Sequence, residues 1–344
     1  MPILRRLSIA CAVGYPLALV LVVVVFRLIG ERWWVTAAAL YLPAIGFGLP
    51  LPFVAAAAWL WAPRRYLALQ AVSLAILLFP VMGLSVGPDR WRAPASGPVL
   101  RVLSLNVGFA ADAVTAVARQ ATATGADLVL LQDAGQSVQG RLARLLEGWT
   151  LRTDGEFVIA TRHRIRDVYV PPPLVYAKGS GGAHYVHYTL DTPIGPVDVL
   201  NVHPTTPRPA IEEIRGNGLR GEILSGRLFS GKAGAAMDWN AFRRNRQVAG
   251  IAARAAASPN PLIIAGDTNL PHQSRMLREH LGTFDDAFVR AGVGFGYTFP
   301  ANKPWMRIDR ILVNRKLVAL KAWVWDAAAS DHRGVAATLA RRSD

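Results

Sequence analysis

The sequence predicts an α/β domain that follows a membrane-embedded helical region. Three apolar runs occupy the first quarter of the chain, and strand-like and helix-like patterns mix along the rest. Polar residues of a few kinds also recur where the apolar strands end. Of the 344 residues, 52% are hydrophobic and 18% are charged, which is apolar for a soluble protein.

The apolar runs cover residues 8–29, 35–61 and 66–86, and Arg27 is the one charged residue inside them. Each run is long enough to cross roughly 30 Å of hydrocarbon as a helix. The runs contain prolines, which membrane helices tolerate better than soluble helices do. Residues 1–87 are therefore predicted to be a transmembrane region with three spans.

Basic residues predict the orientation of these spans. Arg5 and Arg6 precede the first span, and Arg64 and Arg65 join the second to the third. The positive-inside rule places both pairs in the cytoplasm, and three crossings then place the rest of the chain outside. The expected protein is integral to the cytoplasmic (inner) membrane, with a periplasmic or extracellular domain. The lone cysteine, Cys11, fits an exported domain without disulfides.

Residues 88–98 are rich in proline, glycine and serine and are predicted to be a linker. Residues 99–344 are enough for one large domain with its own core. The first 88 residues hold six arginines and one acid, which leaves 32 basic and 22 acidic residues and a net charge of +10. A basic domain suits lipid headgroups, phosphate esters or nucleic acid, although positive charge also serves solubility beside a membrane.

Strand and helix patterns follow one another along this domain. Helices are expected at 111–124, through Leu142 to Leu146, and at about 240–257. A hairpin turn is expected at "TPIG", residues 192–195. Strands are expected at 99–105, 127–131, 157–161, 168–170, 185–190, 197–202, 262–265, 308–313, 322–325 and 334–339.

Polar side chains cluster at the ends of these strands. They are Asn106 in "LSLNV", Asp133 in "LVLLQD", His203 in "NVHP", Asp267 and Asn269 in "AGDTN", Asp309 in "RIDRIL", and Asp331 and His332 in "SDHRGV". Singly, each fits a turn or a helix cap. Together they favour one site, because carboxylate and amide oxygens suit Mg²⁺ or Mn²⁺, and histidines beside carboxylates supply positioned protons.

These six motifs, in this order, resemble those of the endonuclease/exonuclease/phosphatase superfamily, the DNase I-like metallophosphoesterases. The resemblance runs from about residue 99 to the C-terminus. "FVIATRHRI" and "NRQVAGIAAR" resemble intermediate elements of the same family. The resemblance implies a four-layer α/β sandwich, in which two mostly antiparallel sheets pack face to face with helices outside. The site would lie at one end of the sheets.

The resemblance also implies a role for each residue. Asp267 corresponds to the residue that orients or deprotonates the attacking water, and Asn269 holds phosphate or metal beside it. His203 and His332 correspond to the histidines that stabilise phosphoryl oxygens or protonate the leaving group. Asp309 corresponds to the carboxylate that orients His332.

Asn106, Asp133 and Asp331 correspond to metal-site positions, and the implied cofactor is Mg²⁺ or Mn²⁺. Asp133 departs from the family pattern, which usually has glutamate there. Aspartate is one methylene shorter, so the metal could shift or a water could intervene, and Mn²⁺ could be preferred. A weakened or lost activity is the other interpretation.

The resemblance leaves several substrates open. A phosphodiester, a phosphomonoester or a lipid pyrophosphate at the membrane surface is favoured, with a nuclease and a catalytically inactive binding module as alternatives. Residues 205–239, rich in glycine and arginine, are either a membrane-facing substrate loop or a solvated insertion. The remaining histidines are expected to be structural or solvated: His163, His184, His187, His272 and His280.

Overall fold

The computed structural model describes residues 2–91, 97–108, 110, 112–177, 179–214, 231–327 and 329–342. Within these ranges an N-terminal helical region packs on a two-sheet α/β domain. The helices are α1 (Pro2–Leu28), α2 (Trp34–Ala39), α3 (Leu51–Trp61), α4 (Arg65–Ile76), α5 (Ala113–Thr124), α6 (Gln136–Leu145), α7 (Arg208–Glu213), α8 (Lys232–Ala256), α9 (Arg275–Leu281) and α10 (Ala287–Ala291).

Two six-stranded sheets form the centre of the α/β domain. The strands are β1 (Val99–Asn106), β2 (Leu128–Gln132), β3 (Thr150–Asp154), β4 (Phe157–Thr161), β5 (Arg164–Tyr169), β6 (Leu174–Tyr176), β7 (Gly179–Gly181), β8 (Tyr185–Thr192), β9 (Gly195–Val202), β10 (Leu262–Asp267), β11 (Asp285–Asp286), β12 (Asp309–Val313), β13 (Leu317–Trp325) and β14 (Gly334–Arg341). One sheet has the order β13-β14-β1-β2-β4-β3, and the other has the order β11-β12-β10-β9-β8-β5.

The sheets are mostly antiparallel, as expected. In the first sheet only β1 and β2 pair in parallel, and in the second only β9 and β10 do. The carboxyl ends of a parallel pair meet at the same edge of a sheet. The carboxyl ends of β1, β2, β9 and β10 therefore lie toward one end of the domain. Asn106 ends β1, and Asp267 ends β10.

Successive side chains of a strand point to opposite faces of its sheet, so each strand packs into two hydrophobic cores. Leu100 and Val102 of β1 pack between the sheets, whereas Leu103 and Leu105 face α5 and α6. On the far side, α8 and α9 cover the second sheet through residues such as Val248. The resulting order of layers is helix, sheet, sheet, helix, so the α/β class with two flanked sheets is confirmed.

Some element boundaries differ from the expectation. Helix α8 begins at Lys232, earlier than residue 240, and strand β13 is longer than 322–325 because its first half pairs with the end of β14. Part of the segment 205–239 is the short helix α7. Residues 215–230 lie outside the described residues, so the expected loop is only partly visible.

The expectation of three full-length spans is not met. Two stretches, Pro2–Leu28 with 27 residues and Ala44–Trp61 with 18, are long and apolar enough to cross a membrane by length and composition. The third run contributes a shorter apolar helical stretch, Arg65–Val81. It ends early because the chain turns at Gly83, with φ of 77°, and Ser85 pairs with Gly294 of the α/β domain.

The expected second span is also interrupted. Its first part is the short helix α2, which ends at Ala39. Trp34 and Ala37 of α2 pack with Met237 of α8. A turn then separates α2 from a 3-10 helix at Ala44–Gly48 and from α3. Apolar composition alone does not distinguish a residue that faces lipid from one that faces protein, which is why the run looked continuous.

Helices α1 and α4 lie side by side and run in the same direction. The side-chain amide of Gln70 donates to the carbonyl oxygen of Ala12 at 3.0 Å, and Leu19 shares a buried cluster with Leu77 and Val81. This register places the arginine pairs 5–6 and 64–65 at the same end of the helical bundle. The opposite end of α1 reaches the α/β domain.

Direct polar contacts join that end of the bundle to the α/β domain. The Glu31 carboxylate is 4% exposed and accepts hydrogen bonds from the Ser274 hydroxyl and from the Arg275 backbone N–H, the latter at 3.1 Å. Negative charge is favourable there because these groups begin helix α9. The Gln273 amide donates to the Val81 carbonyl oxygen at 2.7 Å.

The first residues of the predicted linker belong to this interface. Pro88–Trp91 forms a 3-10 helix, and Asp89 pairs with Arg290 at 2.7 Å. Residues 92–96 lie outside the described residues. The α/β domain is thus held on the helical region by side-chain contacts as well as by the covalent linker.

Candidate active site

The predicted site residues converge at the domain end where the parallel strands finish. Seven of them line one cavity of about 810 Å³, and Asp309 lies directly behind His332. The seven are Asn106, Asp133, His203, Asp267, Asn269, Asp331 and His332.

Gly266 determines how Asp267 enters this cavity. Its φ is 145°, and a Cβ built on it would lie 2.0 Å from the carbonyl oxygen of Val202 in β9. Real Cβ atoms do not approach so closely, so the position requires glycine. The glycine of "LIIAGDTN" thus lets β10 press against β9 immediately before the catalytic candidate.

Asp267 is 1% exposed and has several hydrogen-bond donors. Its Oδ1 accepts from the backbone N–H of Asn269 at 2.8 Å, and its Oδ2 accepts from the side-chain amides of Asn269 at 3.2 Å and Asn106 at 3.3 Å. Burial raises the pKa of Asp267, and His332 counteracts part of that rise. The carboxylate is therefore held in a fixed orientation away from bulk solvent.

His332 lies beside Asp267 and is backed by Asp309. Its Nδ1 is 2.9 Å from Asp309 Oδ2, and its Nε2 is 3.8 Å from Asp267 Oδ2. Burial alone would lower the pKa of His332, but Asp309 and Asp267 outweigh it and raise the pKa to about 9. The two carboxylates thus favour the protonated imidazole, which can donate from Nε2.

His203 occupies the opposite side of Asp267. Its Nε2 is 3.6 Å from Asp267 Oδ2, and its Nδ1 is 3.4 Å from Glu156 and 3.5 Å from Asp133. Burial opposes protonation, but Glu156, Asp267 and Asp133 together raise the pKa of His203 to about 9. Two histidine–carboxylate pairs thus flank one buried aspartate.

Glu156 was not among the residues predicted for the site. It precedes β4, and its other carboxylate oxygen is 3.1 Å from Nδ1 of His184, which was expected to be structural or solvated. Burial would raise the pKa of Glu156, but hydrogen bonds with His184 and His203 lower it to about 2. The first residue of an antiparallel strand reaches the same edge as the last residue of its neighbour. That rule, applied to β4 beside β2, could have found Glu156.

The donor types fit a divalent cation. Asp133, Glu156 and His203 offer ligand atoms within 4.8 Å of one another, and Asp267, Asp309 and His332 do the same. Carboxylate oxygens are the hard ligands that Mg²⁺ and Mn²⁺ prefer. Glu156 thus adds a second carboxylate beside Asp133, whose side chain is shorter than the glutamate of the family pattern.

The other predicted metal residues have additional partners. Asn106 Oδ1 accepts from the backbone N–H of Gly108 at 2.9 Å. Asp331 lies at the cavity rim, where its carboxylate is 2.8 Å from the guanidinium of Arg208 and 4.0 Å from Nε2 of His332. A cation would therefore compete with Arg208 for the Asp331 carboxylate.

Comparison with known proteins supports this description of the fold. A sequence profile of the endonuclease/exonuclease/phosphatase family matches residues 103–332. A solved structure of a functionally unknown conserved protein from Enterococcus faecalis V583 is 15% identical, with 71% of this chain and 100% of that chain covered and a TM-score of 0.52. The endonuclease/exonuclease/phosphatase from Bacteroides vulgatus is 15% identical, with 71% and 100% covered and a TM-score of 0.51. Truncated TDP2 from Caenorhabditis elegans is 16% identical, with 70% and 97% covered and a TM-score of 0.50. No curated protein matches the chain.

Proposed function

Because the chain belongs to the endonuclease/exonuclease/phosphatase family, we propose that it is a divalent-metal-dependent hydrolase of phosphate ester bonds, anchored in the cytoplasmic membrane. The observation that carries this proposal is the buried Asp267 between His203 and His332, each of which has its own carboxylate partner. Such an arrangement serves proton transfer and charge stabilisation at a phosphate.

Asp267 is the residue best placed to orient and deprotonate a water molecule. Both of its oxygens are held by donors from Asn269 and Asn106, and its burial raises its pKa toward the range useful for a base. In this proposal Asn269 also contacts the phosphate or the metal. The proton leaves water for Asp267 as the new phosphorus–oxygen bond forms.

The two histidines supply positive charge and a proton. Protonated His332, oriented by Asp309, and protonated His203, held by Glu156 and Asp133, neutralise charge that develops on the phosphoryl oxygens. Either histidine can give its proton to the leaving oxygen. The proposed mechanism therefore needs no other general acid.

We assign Asn106, Asp133 and Asp331 to metal binding, with Glu156 as a further donor in reach. Bound Mg²⁺ or Mn²⁺ would polarise a phosphoryl oxygen and favour ionisation of water. Mg²⁺ demands near-ideal octahedral geometry, so the shorter Asp133 side chain favours Mn²⁺, which accepts looser coordination.

Exposure of the apolar helices supports the membrane anchor. A core helix of a soluble protein would be mostly buried, yet only 22% of the most apolar window of α1 and 6% of that of Ala44–Trp61 are buried. Side chains such as Leu17, Leu21 and Phe53 are more than half exposed. Contiguous apolar surface of this extent favours contact with lipid.

The bundle geometry supports an orientation without depending on the number of spans. The arginine pairs 5–6 and 64–65 lie at one end, and the α/β domain packs against the other. Since basic residues favour the cytoplasmic side, we place the catalytic domain in the periplasm or outside the cell. The preferred substrates are then phosphodiesters, phosphomonoesters or lipid pyrophosphates at the membrane surface.

Hydrolysis assays on the purified full-length protein test this function. With Mg²⁺ or Mn²⁺, the wild type should cleave bis(p-nitrophenyl) phosphate or p-nitrophenyl phosphate, and Asp267→Asn and His332→Ala should each lose about 10²-fold or more in turnover. Asp191→Asn and His280→Ala are matched controls outside the cavity and should retain activity.

Three results would change the proposal. Near-normal turnover in either site variant contradicts the roles given to Asp267 and His332. Faster cleavage of plasmid DNA than of the small esters identifies a nuclease. Lack of hydrolysis with either metal on all substrates, by a protein that melts cooperatively, identifies an inactive binding module.

A further inference from the structure

The cavity lining combines side chains of two chemical kinds. Besides the polar groups proposed to be catalytic, it includes a set of apolar and aromatic side chains, here called the apolar wall: Tyr41, Ile211, Phe299, Trp305, Met306 and Ile308. The polar groups alone would suffice for an inorganic phosphate or a small ester. The apolar wall is therefore a feature that the chemistry of the reaction does not explain.

The N-terminal helical region contributes directly to the apolar wall. Tyr41 follows α2, is 4% exposed, and donates from its hydroxyl to the carbonyl oxygen of Asn269 at 2.8 Å. Its own carbonyl oxygen accepts from the indole N–H of Trp305 at 3.3 Å. A residue of the helical region thus contacts both the turn that holds Asn269 and the loop that holds Trp305.

The apolar wall continues into the helical bundle. Tyr41, Met306 and Ile308 share one hydrophobic cluster with Phe26 of α1, and Phe47 packs against this cluster. The rings of Phe26 and Phe47 are 6.0 Å apart in an edge-on arrangement.

Exposed apolar residues follow Tyr41 in the chain and lie before and after Phe47. Leu42 and Ile45 are 55% exposed and Leu49 is 68% exposed. Leu49 lies within the Ala44–Trp61 stretch that is apolar enough to enter a membrane. Apolar side chains are therefore exposed in the segment that follows Tyr41 and continues into the stretch expected to hold lipid.

We propose that this cavity binds a phosphate ester that carries an aliphatic chain, with the phosphate at Asp267, His203 and His332 and the chain against the apolar wall. This inference rests on the proposed hydrolase function and adds the class of substrate to it. Tyr41 and its segment act as part of the binding site, in addition to anchoring the domain.

An aliphatic chain fits this wall better than a nucleobase does. Bases stack on exposed aromatic faces. Here Ile211, Met306 and Ile308 intersperse with the rings, and Phe299 is already covered by the guanidinium of Arg208 at 5.4 Å and packs 4.8 Å from the His332 ring. The contact of this wall with Phe26 of α1, an apolar helix, also favours a ligand that is delivered from a bilayer.

Binding of two phosphonates that differ only in chain length tests the proposal. Octylphosphonate and methylphosphonate are titrated calorimetrically into the full-length protein in nanodiscs with Mg²⁺, and empty nanodiscs give the background from partitioning. Each buried methylene contributes roughly fourfold, so a chain that buries two or three should bind about 15- to 60-fold more tightly than methylphosphonate.

Variants locate the source of this preference. Ile211→Ala and Trp305→Ala, both at partly exposed positions, should each lower the octyl-to-methyl affinity ratio severalfold, and melting temperatures verify that they fold. Leu145→Ala removes a 47% exposed aliphatic side chain of α6 that does not line the cavity, and should keep the wild-type ratio.

The outcomes separate this inference from the proposed function. Equal affinity for the two phosphonates, or an unchanged ratio in both wall variants, overturns the inference even if bis(p-nitrophenyl) phosphate is hydrolysed. A chain preference without any hydrolysis supports the binding site and contradicts the hydrolase. An oligothymidylate that binds more tightly than octylphosphonate and loses affinity in Trp305→Ala would assign the wall to nucleobases instead.

Discussion

Replacing Gly266 by alanine tests whether close packing of β10 on β9 positions Asp267, the proposed catalytic base. The new Cβ would lie 2.0 Å from the carbonyl oxygen of Val202. That oxygen cannot simply move away, because β9 pairs with β8 on one side and with β10 on the other. The strand carrying Asp267 must therefore shift by about 1 Å or more to reach an ordinary contact distance.

The cost of Gly266→Ala follows from two separate effects. An L-residue at φ of 145° is strained by about 1–3 kcal/mol. Overpacking against a fixed backbone adds about 1–3 kcal/mol. The sum, about 2–6 kcal/mol, is a large part of the roughly 5–15 kcal/mol that stabilises a typical domain.

Gly250→Ala is a matched control for the same chemical change. Gly250 lies within α8, and a Cβ there would meet nothing within 4 Å. Alanine is favoured over glycine in a helix, so this variant should gain about 0.5–1 kcal/mol. Two glycine-to-alanine substitutions in one domain should thus change stability in opposite directions.

Thermal unfolding of the full-length protein at one fixed scan rate measures both variants. A loss of 1 kcal/mol lowers the midpoint by about 2–4 °C in a domain of this size, so Gly266→Ala should melt roughly 4–24 °C lower. Its remaining folded fraction should also turn over more slowly, because a 1 Å displacement of a catalytic group can cost about 10²-fold. A midpoint within 1 °C of the wild type, together with full activity, would refute the reasoning.

Other predictions concern metal, topology and pH. Asp133→Ala should sharply raise the Mg²⁺ concentration needed for half-maximal activity, whereas Asp133→Glu should preserve or raise activity. Equal metal dependence of the wild type and Asp133→Ala would show that Asp133 only shapes a turn. A phosphatase fused to the C-terminus should be active in the periplasm, and a fluorescent protein that matures only in the cytoplasm should stay dark; protection of the domain from protease in sealed spheroplasts would reverse the orientation. Burial, with Arg307 and Arg310 nearby, lowers the pKa of His272 to about 3 in the folded protein. In the unfolded chain the same imidazole binds a proton below about pH 6.5, so acid favours unfolding. Stability should therefore fall by up to about 1.4 kcal/mol per pH unit between pH 6.5 and 3, and His272→Gln should show a shallower decline of the melting temperature.

The residues that meet around the cavity could be identified from the sequence because their signals are local. Buried strands such as β10 are short apolar runs bounded by proline and glycine, and the polar residue that follows each run is immediately visible. The hard-ligand and histidine chemistry of these residues, and their motif order, allowed Asn106, His203 and Asp267 to be grouped without knowing the complete topology.

The remainder depends on contacts between distant parts of the chain. Glu156 precedes its strand, so its position at the site follows only once β4 is known to run antiparallel to β2. Tyr41 lies in a run that composition assigns to lipid, yet it bonds with Asn269, 228 positions away. Local hydrophobic periodicity contains no information about such pairings.

The buried Glu31 has a practical consequence for anyone who prepares this protein. It is the one acid among the first 88 residues, and it satisfies the hydroxyl of Ser274 and the first N–H groups of α9. A shortened protein that begins at residue 99 would leave those donors without Glu31 and would uncover Met306 and Ile308, which now pack on Phe26. Such a fragment would be prone to aggregate, and its active site would lack the side chain of Tyr41. The full-length protein is therefore the appropriate form for crystallisation, calorimetry and kinetics.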